Sequence, residues 1–338
     1  MDRSQALEQF FQGALDAFQK VENPAHRRAK LGPLTLDLHI SPSLQSRDWT
    51  SPLALKGSEE EPTATIYAWD ESLGSTKFPP PPWGANYVYT HRGDIKGFQS
   101  ERIEAAFNWD SKLLCLWDKE RRIGIYWTPN LKTLPSYEWA APLRTLLHWV
   151  GLSHGMQLTH AAAVGREGRG VLLAGRGGSG KSTTSLACWN AGWQFVSDDY
   201  CWVGFEPTPR AHSVYRTAKL FPDQPVDLPR WQHEEQLSAE KNVFNLDNLG
   251  GERLVPYLDM EALALPLPRE VDKPELREAS RRDSLAALSL TTMAQLAGAG
   301  PKSMMMMRRL TEELPCYHLD LCHPVSAVPA VLERLLPS

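Results

Sequence analysis

Two features are missing from this sequence, and each absence excludes a class of partner. The chain contains no apolar run of about 18 residues, which is the minimum for a helix that spans a membrane. It also has no basic excess, since 36 Lys and Arg oppose 40 Asp and Glu and give a formal net charge of −4. Proteins that bind the nucleic-acid backbone usually carry a basic excess. We therefore expect neither a nucleic acid nor a membrane among the partners of this protein.

Cysteine is also sparse. The 338 residues contain 5 cysteines, an odd number, and no Cys-x-x-Cys pair. This usage is not typical of a secreted protein held together by disulfides. The first residues, MDRSQALEQFF, are polar where a signal peptide would be apolar. We expect a cytoplasmic protein with reduced thiols.

The length and the hydrophobic pattern predict two domains, at roughly 100–200 residues each. Apolar residues recur at helical spacing over 4–22, and short strand-like segments with alternating polarity fill 34–128. The segment TPNLKTLPS is rich in turn residues and marks a boundary. The sequence thus predicts an N-terminal α+β domain over 1–135 and a C-terminal domain over 136–338.

The order of segments in the second domain predicts an α/β fold. Two apolar strand-like segments, LTHAAAV and GVLLAG, precede a glycine-rich loop, a helix over 181–191 and a further short strand. Residues 270–299 and 303–313 are predicted to be mostly helical. The chain should end in a short strand and a helix near 326–336.

A phosphate-binding motif decides the class of this domain. Residues 175–182 match the pattern G-x-x-x-x-G-K-[ST] of the P-loop, between a predicted strand and a predicted helix. Glycines let successive N–H groups point at phosphate oxygens, Lys181 can reach the β- and γ-phosphates, and Ser182 can bind Mg²⁺. The residues expected to bind a nucleoside triphosphate are Gly175, Arg176, Gly177, Gly178, Ser179, Gly180, Lys181, Ser182 and Thr183.

Two adjacent carboxylates follow the motif. The apolar segment 195–197 ends in Asp198 and Asp199. One carboxylate could hold Mg²⁺ beside Ser182, and the other could accept a proton from an attacking hydroxyl. The alternative is that the pair merely begins a turn. His160, in an apolar strand, would on its own be interpreted as a core residue.

These three elements together resemble a known family. HAAAV, the P-loop and VSDD follow one another as in the catalytic domain of the HPr kinase/phosphorylase family, and are more similar still to HPr-kinase-related proteins of unassigned substrate, including kinases that tailor lasso peptides. The resemblance covers about 140–338 and is strongest over 157–203. It implies an α/β P-loop kinase domain of the HPr kinase/phosphoenolpyruvate carboxykinase type. A smaller, strand-rich mixed domain would precede it.

The resemblance also implies ATP, Mg²⁺ and a set of roles. Ser182 and Asp199 would serve Mg²⁺, and Asp198 would act as the base, although the sequence does not separate the two aspartates. Arg216 or Lys219 could reach the transferred phosphate or the acceptor. Weaker candidates of this kind are Lys241 and Arg253. The residues expected to take part in catalysis are His160, Lys181, Asp198, Asp199 and Arg216.

The chain departs from true HPr kinases in one region. The Glu-, Arg- and Gly-rich signature that accompanies phosphorylase activity is echoed only by 250–253. We therefore expect neither the reverse reaction nor HPr itself as substrate.

The sequence predicts an ATP- and Mg²⁺-dependent kinase that phosphorylates a Ser or Thr hydroxyl of a peptide or protein. The N-terminal domain would bear on the choice of acceptor, and the resemblance implies a homo-oligomer. Two alternatives stay open: a kinase of a small molecule such as an amino acid or sugar, and a nucleotide-binding regulator without transfer activity.

Overall fold

The computed structural model of this protein describes residues 2–74, 76–84, 87–98, 100–220, 242–247, 251–322 and 324–337. The chain divides into two compact units, Met1–Ser153 with Gln295–Gly298, and His154–Ala294 with Ala299–Ser338. Both units combine helices with β-sheet, so the fold is mixed α/β. No helix among the described residues is long and apolar enough to cross a membrane.

Among its described residues, the first unit contains a seven-stranded sheet and four α-helices. The helices are α1 (Arg3–Phe18), α2 (Pro42–Gln45), α3 (Ser136–Ala140) and α4 (Arg144–Ser153). The strands are β1 (Ala25–Leu31), β2 (Leu34–Ile40), β3 (Lys56–Gly57), β4 (Ala64–Asp70), β5 (Ile103–Asn108), β6 (Leu113–Asp118) and β7 (Ile123–Thr128). Their order in the sheet is β3-β1-β2-β4-β7-β6-β5. The pairs β2–β4 and β4–β7 are parallel.

Helix α1 covers this sheet with its apolar face. Leu7, Phe10 and Phe11 are buried and pack in one cluster with Leu116 of β6 and Ile125 of β7. The spacing of three and four residues places the helix residues on one face, and burying each such side chain contributes about 1.5–3 kcal/mol. The helix predicted over 4–22 is therefore present, although it ends four residues early, at Phe18.

Helix α4 belongs to the first unit. It packs on β6 and β7, and its Leu146 and Leu147 are fully buried. The indole Nε1 of Trp117 donates a hydrogen bond to Ser153 Oγ at 3.3 Å, which ties the end of the helix to the sheet. Because of this packing the compact units divide after Ser153, later than the boundary at 135/136 expected from the sequence.

The second unit contains a nine-stranded sheet, a two-stranded sheet and four described helices. The strands are β8 (Gln157–Thr159), β9 (Ala161–Arg166), β10 (Arg169–Ala174), β11 (Gln194–Ser197), β12 (Cys201–Gly204), β13 (Arg210–Ser213), β14 (Thr217–Leu220), β15 (Asn242–Asn245), β16 (Tyr257–Pro268), β17 (Glu275–Glu278) and β18 (Cys316–Leu321). The helices are α5 (Lys181–Asn190), α6 (Arg281–Gln295), α7 (Pro301–Glu313) and α8 (Val328–Glu333).

The large sheet is mixed. Its main order is β11-β9-β10-β16-β13-β12-β8, with β18 beside β16 and β17 beside β18, while β14 and β15 pair separately. Strand β16 runs parallel to β10 and β18, whereas β9 is antiparallel to β10 and β11. This arrangement brings the ends of β10 and β11 and the start of β9 to one edge of the sheet.

One predicted helix is partly wrong. The region 270–299 was expected to be mostly helical, yet Glu275–Glu278 forms β17 and the helix begins only at Arg281. Strand β17 pairs antiparallel with β18, and Arg277 Nε and Nη2 bond the Asp320 carboxylate at 2.7 and 2.9 Å. Pairing with a neighbouring strand outweighs the weak local preference for helix. The helix predicted over 303–313 is present as α7.

The five cysteines are all buried and unpaired. Burial disfavours the thiolate and raises the pKa of Cys201 to about 12. These side chains therefore act as small apolar groups, as expected from their number and spacing.

Candidate active site

The loop from β10 to α5 curls in the way the glycine pattern predicts. Gly175, Gly178 and Gly180 have φ values of 155°, 79° and 96°, which favour glycine over any residue with a Cβ. A Cβ on Gly175 would lie 2.6 Å from Ser179 Oγ, and one on Gly180 would collide with Leu321 Cδ1. Gly175 thus lies close to the Ser179 side chain of the same loop, and Gly180 lies close to Leu321 of β18.

Lys181 begins α5 directly after the loop. Its side chain is buried, and Nζ donates to the carbonyl oxygens of Gly175 at 2.7 Å and Arg176 at 3.4 Å. The N–H groups of the first turn of a helix lack acceptors within the helix and carry a partial positive charge. The Lys181 ammonium group and the N-terminus of α5 therefore lie together, and both favour the binding of an anion such as phosphate.

Ser179 provides a test of whether this loop fits a phosphate. It is 6% exposed, and its Oγ has no hydrogen-bond partner among the described residues. A buried polar group without a partner costs about 1–3 kcal/mol. A phosphate oxygen in the loop would satisfy this hydroxyl, so the residues present fit a nucleoside triphosphate.

Asp198 lies at the end of β11 and is 2% exposed. Its Oδ2 accepts hydrogen bonds from Ser182 Oγ at 3.1 Å and from the Lys219 backbone N–H at 3.0 Å. Its Oδ1 accepts a bond from Ser185 Oγ at 2.9 Å. Burial, together with the charge of Asp199, raises the pKa of Asp198 despite these donors. The P-loop serine and a buried carboxyl group therefore stand side by side.

Asp199 has a different environment. Its Oδ1 lies 2.8 Å from His160 Nε2, its Oδ2 lies 2.7 Å from Lys219 Nζ, and its side chain is 26% exposed. Burial would raise the pKa of Asp199, but the charge of Lys219 and the hydrogen bonds from His160 and Lys219 outweigh it and hold that pKa well below the usual range. Asp199 is therefore a stable carboxylate at neutral pH.

His160 lies between β8 and β9 and is fixed on several sides. Its ring stacks on Tyr200 with centroids 5.1 Å apart, and its backbone N–H donates to Thr292 Oγ1 at 3.1 Å. Burial lowers the pKa of His160 even though Asp199 opposes the shift. A neutral ring beside an ionised carboxylate must carry its proton on Nε2. Nδ1 is then an acceptor, and it is buried without a partner among the described residues.

The structure brings most of the sequence-predicted residues together. The P-loop, both aspartates and His160 form one connected set of contacts. Ser182, however, contacts Asp198, whereas Asp199 is engaged by His160 and Lys219. The sequence predicts that Ser182 and Asp199 together bind a metal ion, whereas the hydrogen bonds favour Asp198 as the partner of Ser182.

The described contact of Arg216 is with a different carboxylate, that of Asp247. Its Nη1 donates to Asp247 Oδ2 at 2.8 Å. Lys219, three residues further on, instead reaches Asp199. Residues three apart on an extended chain point to opposite faces, so only one of the two basic side chains could face the aspartates.

Of the two weaker basic candidates, the structure describes only Arg253, which contacts Trp189. Arg253 donates to the Trp189 carbonyl oxygen at 2.7 Å and lies over its ring. Lys241 lies outside the described residues. Ser185, which the sequence analysis missed, follows Ser182 by three residues on a helix, and that spacing could have placed it on the same face.

Comparisons with known proteins add little to this geometry. No protein-family model and no curated protein matches the chain. Among solved structures, the chain is similar to the HPr(Ser) kinase/phosphatase from Coxiella burnetii, with 13% identity, coverage of 53% of this chain and 95% of that chain, and a TM-score of 0.32. A likeness this slight does not identify the fold or the activity, and the family suggested by the motifs stays a prediction.

Proposed function

We propose that this protein is a kinase that transfers the γ-phosphoryl group of ATP to a hydroxyl group, in the presence of Mg²⁺. The acceptor that we propose is a Ser or Thr side chain of a peptide or protein. The observation that carries the proposal is the 3.1 Å hydrogen bond from Ser182 Oγ to buried Asp198. In P-loop enzymes this hydroxyl and an acidic residue together hold the metal ion.

The nucleotide would be held by the loop 175–180 and the start of α5. Backbone N–H groups, Ser179 Oγ and the Lys181 ammonium would bind phosphate oxygens and oppose their charge. Lys181 would exchange the Gly175 carbonyl, now 2.7 Å away, for the phosphates. Mg²⁺, when bound by Ser182 and Asp198, would neutralise negative charge on the β- and γ-phosphates.

Asp199 is the better candidate for the base, which reverses the roles expected from the sequence. Asp198 is 2% exposed and already accepts three hydrogen bonds, so it is the less accessible of the two carboxylates for a peptide hydroxyl, which is bulkier than a metal ion. Asp199 is 26% exposed and ionised. His160 orients its Oδ1, which leaves Oδ2 to accept the proton once Lys219 turns toward the transferring group.

In this scheme the acceptor oxygen bonds to the γ-phosphorus while the bond to the bridging oxygen of ADP breaks. The hydroxyl proton passes to Asp199 Oδ2, and ADP leaves with the electron pair of the broken bond. Lys181 and Lys219 would oppose the charge that spreads over the transferring group. Positioning and electrostatics supply most of the rate in such reactions.

The proposal is tested by intact-mass analysis of peptides with Ser or Thr that are encoded beside the gene, incubated with protein, ATP and Mg²⁺. We expect the gain of one phosphate. Asp199→Asn and Lys181→Ala should each reduce transfer by at least about a hundredfold. Lys273→Ala, which changes an exposed lysine of the same unit, is the matched control.

Binding measurements separate the roles of the two aspartates. Asp199→Asn should still bind ATP with Mg²⁺, whereas Asp198→Asn should lose the Mg²⁺ dependence of nucleotide binding. Transfer at the normal rate by Lys181→Ala would refute the assignment of the P-loop as the site of phosphoryl transfer. ATP binding without transfer to any peptide would instead support a small-molecule acceptor or a nucleotide-binding regulator.

A further inference from the structure

A second cluster of ionisable side chains lies on the sheet of the first unit, away from the P-loop residues in sequence. His26 of β1 and His39 of β2 are direct register partners, and Asp37 precedes His39 by two residues on the same face of β2. The atoms of these three side chains that could bind a metal lie within 4.8 Å of one another. Within the described part of the chain, no other group of three His, Cys, Asp or Glu side chains does this.

The two histidines are oriented toward one carboxylate. His26 Nε2 lies 2.6 Å from Asp37 Oδ1, and His39 Nε2 lies 3.8 Å from Asp37 Oδ2. The imidazole rings stack at a centroid distance of 4.8 Å, and His39 stacks in turn on Tyr67 at 4.8 Å. The stacking therefore holds both Nε2 atoms on the side of Asp37.

A simple ion pair explains only part of this arrangement. Arg28 Nε lies 3.2 Å from Asp37 Oδ1, the same oxygen that His26 contacts. His39, in contrast, is too far from Oδ2 for a hydrogen bond, although its Nε2 is directed there. Ligand atoms around a tetrahedral Zn²⁺ lie about 3.3 Å apart, between the spacings found here, so small shifts of side chains would suffice.

Of the three residues, His26 also lines a surface cleft of about 520 Å³, together with Arg28, Gly57, Ser58 and Glu59. Three protein ligands beside such a space leave a fourth coordination position open to water or a small anion. Arg28 on the wall of the cleft would favour an anion there.

We propose that His26, Asp37 and His39 form a binding site for Zn²⁺, with the fourth coordination position open to this cleft. Two imidazoles and one carboxylate are a donor set that suits zinc, whereas Mg²⁺ prefers oxygen ligands alone. The site is independent of the proposed kinase reaction and would add a second ion-binding function to this protein.

The test is calorimetric titration of Zn²⁺ into the untagged full chain after removal of metals, with excess Mg²⁺ present to occupy oxygen-only sites. We expect one equivalent to bind. His39→Gln and His26→Gln should each weaken this binding by at least about tenfold. His91→Gln, which changes an exposed histidine of the same unit, should leave it unchanged.

Two further measurements distinguish a metal site from an ion pair. Arg28→Gln should keep or strengthen Zn²⁺ binding, because it frees Asp37 Oδ1, whereas a plain ion pair predicts no Zn²⁺ binding in any variant. Co²⁺ should give the intense visible absorption of a four-coordinate site, and His39→Gln should remove it. The proposal is overturned if the unchanged protein binds no Zn²⁺, or if both histidine variants bind it as tightly as the unchanged protein does.

Discussion

The two large sheets of this protein carry ionisable groups in different places. In the second unit, Asp198 and Asp199 follow the end of a strand, at the edge where the P-loop also lies. In the first unit, His26, Asp37 and His39 stand on the face of the sheet, partly open to solvent. The loop backbone and helix N-termini that follow a strand have free N–H groups, which can donate hydrogen bonds to a nearby carboxylate. On the face of a sheet the backbone N–H groups already bond neighbouring strands, so only side chains can contact a carboxylate.

The difference appears in the carboxyl groups. Burial raises the pKa of Asp198, and three donors do not reverse the shift. Burial also acts on Asp37, but hydrogen bonds from His26 and Arg28 outweigh it and hold the pKa of Asp37 below its usual range. Burial beside Asp199 thus makes Asp198 a group that gains from binding a cation, whereas His26 and Arg28 already stabilise the charged form of Asp37.

The strongest test of this comparison changes the backbone at the buried edge. Gly180→Ala places a Cβ at a φ of 96° and against Leu321, which strains the loop by about 1–3 kcal/mol and should weaken nucleotide binding by about 5- to 150-fold. Gly177→Ala is the matched control, because its Cβ would meet nothing within 4 Å. Equal ATP affinity for both variants, measured by calorimetry, would contradict the described loop geometry.

A second test uses the two adjacent aspartates, whose substitutions should change stability in opposite directions. Asp198→Asn should raise the free energy of unfolding at pH 7, because the pKa of Asp198 is raised on folding. Asp199→Asn should lower it by about 1–3 kcal/mol, because it removes the partner of His160 and Lys219. Denaturant unfolding without added metal measures both effects.

The pH dependence checks the sign of each effect. A carboxyl group whose pKa is raised on folding destabilises the fold as pH rises through its folded pKa, so the gain in Asp198→Asn should vanish below pH 3.8, the ordinary value. The contribution of Asp199, whose pKa is lowered, should persist from neutral pH down through 3.8 and disappear only below its folded pKa. The same sign for both variants at pH 7 would contradict the assigned environments.

The smallest effect on stability is expected at an exposed ion pair of the first unit. Lys30 Nζ and Glu60 Oε1 are 2.7 Å apart, but their side chains are 42% and 61% exposed. Solvent screens such a pair, so Lys30→Ala should leave the midpoint of denaturant unfolding unchanged within error. A clear loss of stability, absent in high salt, would show that this surface is less screened than its exposure indicates.

Much of the candidate site could be predicted from the chain alone because its parts are local. The P-loop is eight consecutive residues, and its glycines, Lys181 and Ser182 act through the backbone that they themselves form. The helix after it and the aspartate pair at the end of a short apolar segment follow from the same local pattern. The apolar spacing of α1 was predictable for the same reason.

Other features escaped prediction because they depend on strand pairing. Strand β17 forms only because β18 lies beside it, so the helical expectation there was partly wrong. Lys219, rather than Arg216, contacts Asp199, since that choice depends on which side of an extended segment faces the site. The cluster of His26, Asp37 and His39 exists only because β1 and β2 pair in one register.

The sequence by itself determined that this chain carries a glycine-rich loop of the P-loop pattern followed by a helix and an acidic pair, because adjacent residues build these elements. Only the tertiary structure decided what each group experiences: Asp198 lies buried against Ser182, and Asp199 lies between His160 and Lys219. Neighbours in sequence acquire opposite environments because successive side chains point to opposite sides, and only the surrounding elements decide which side is buried.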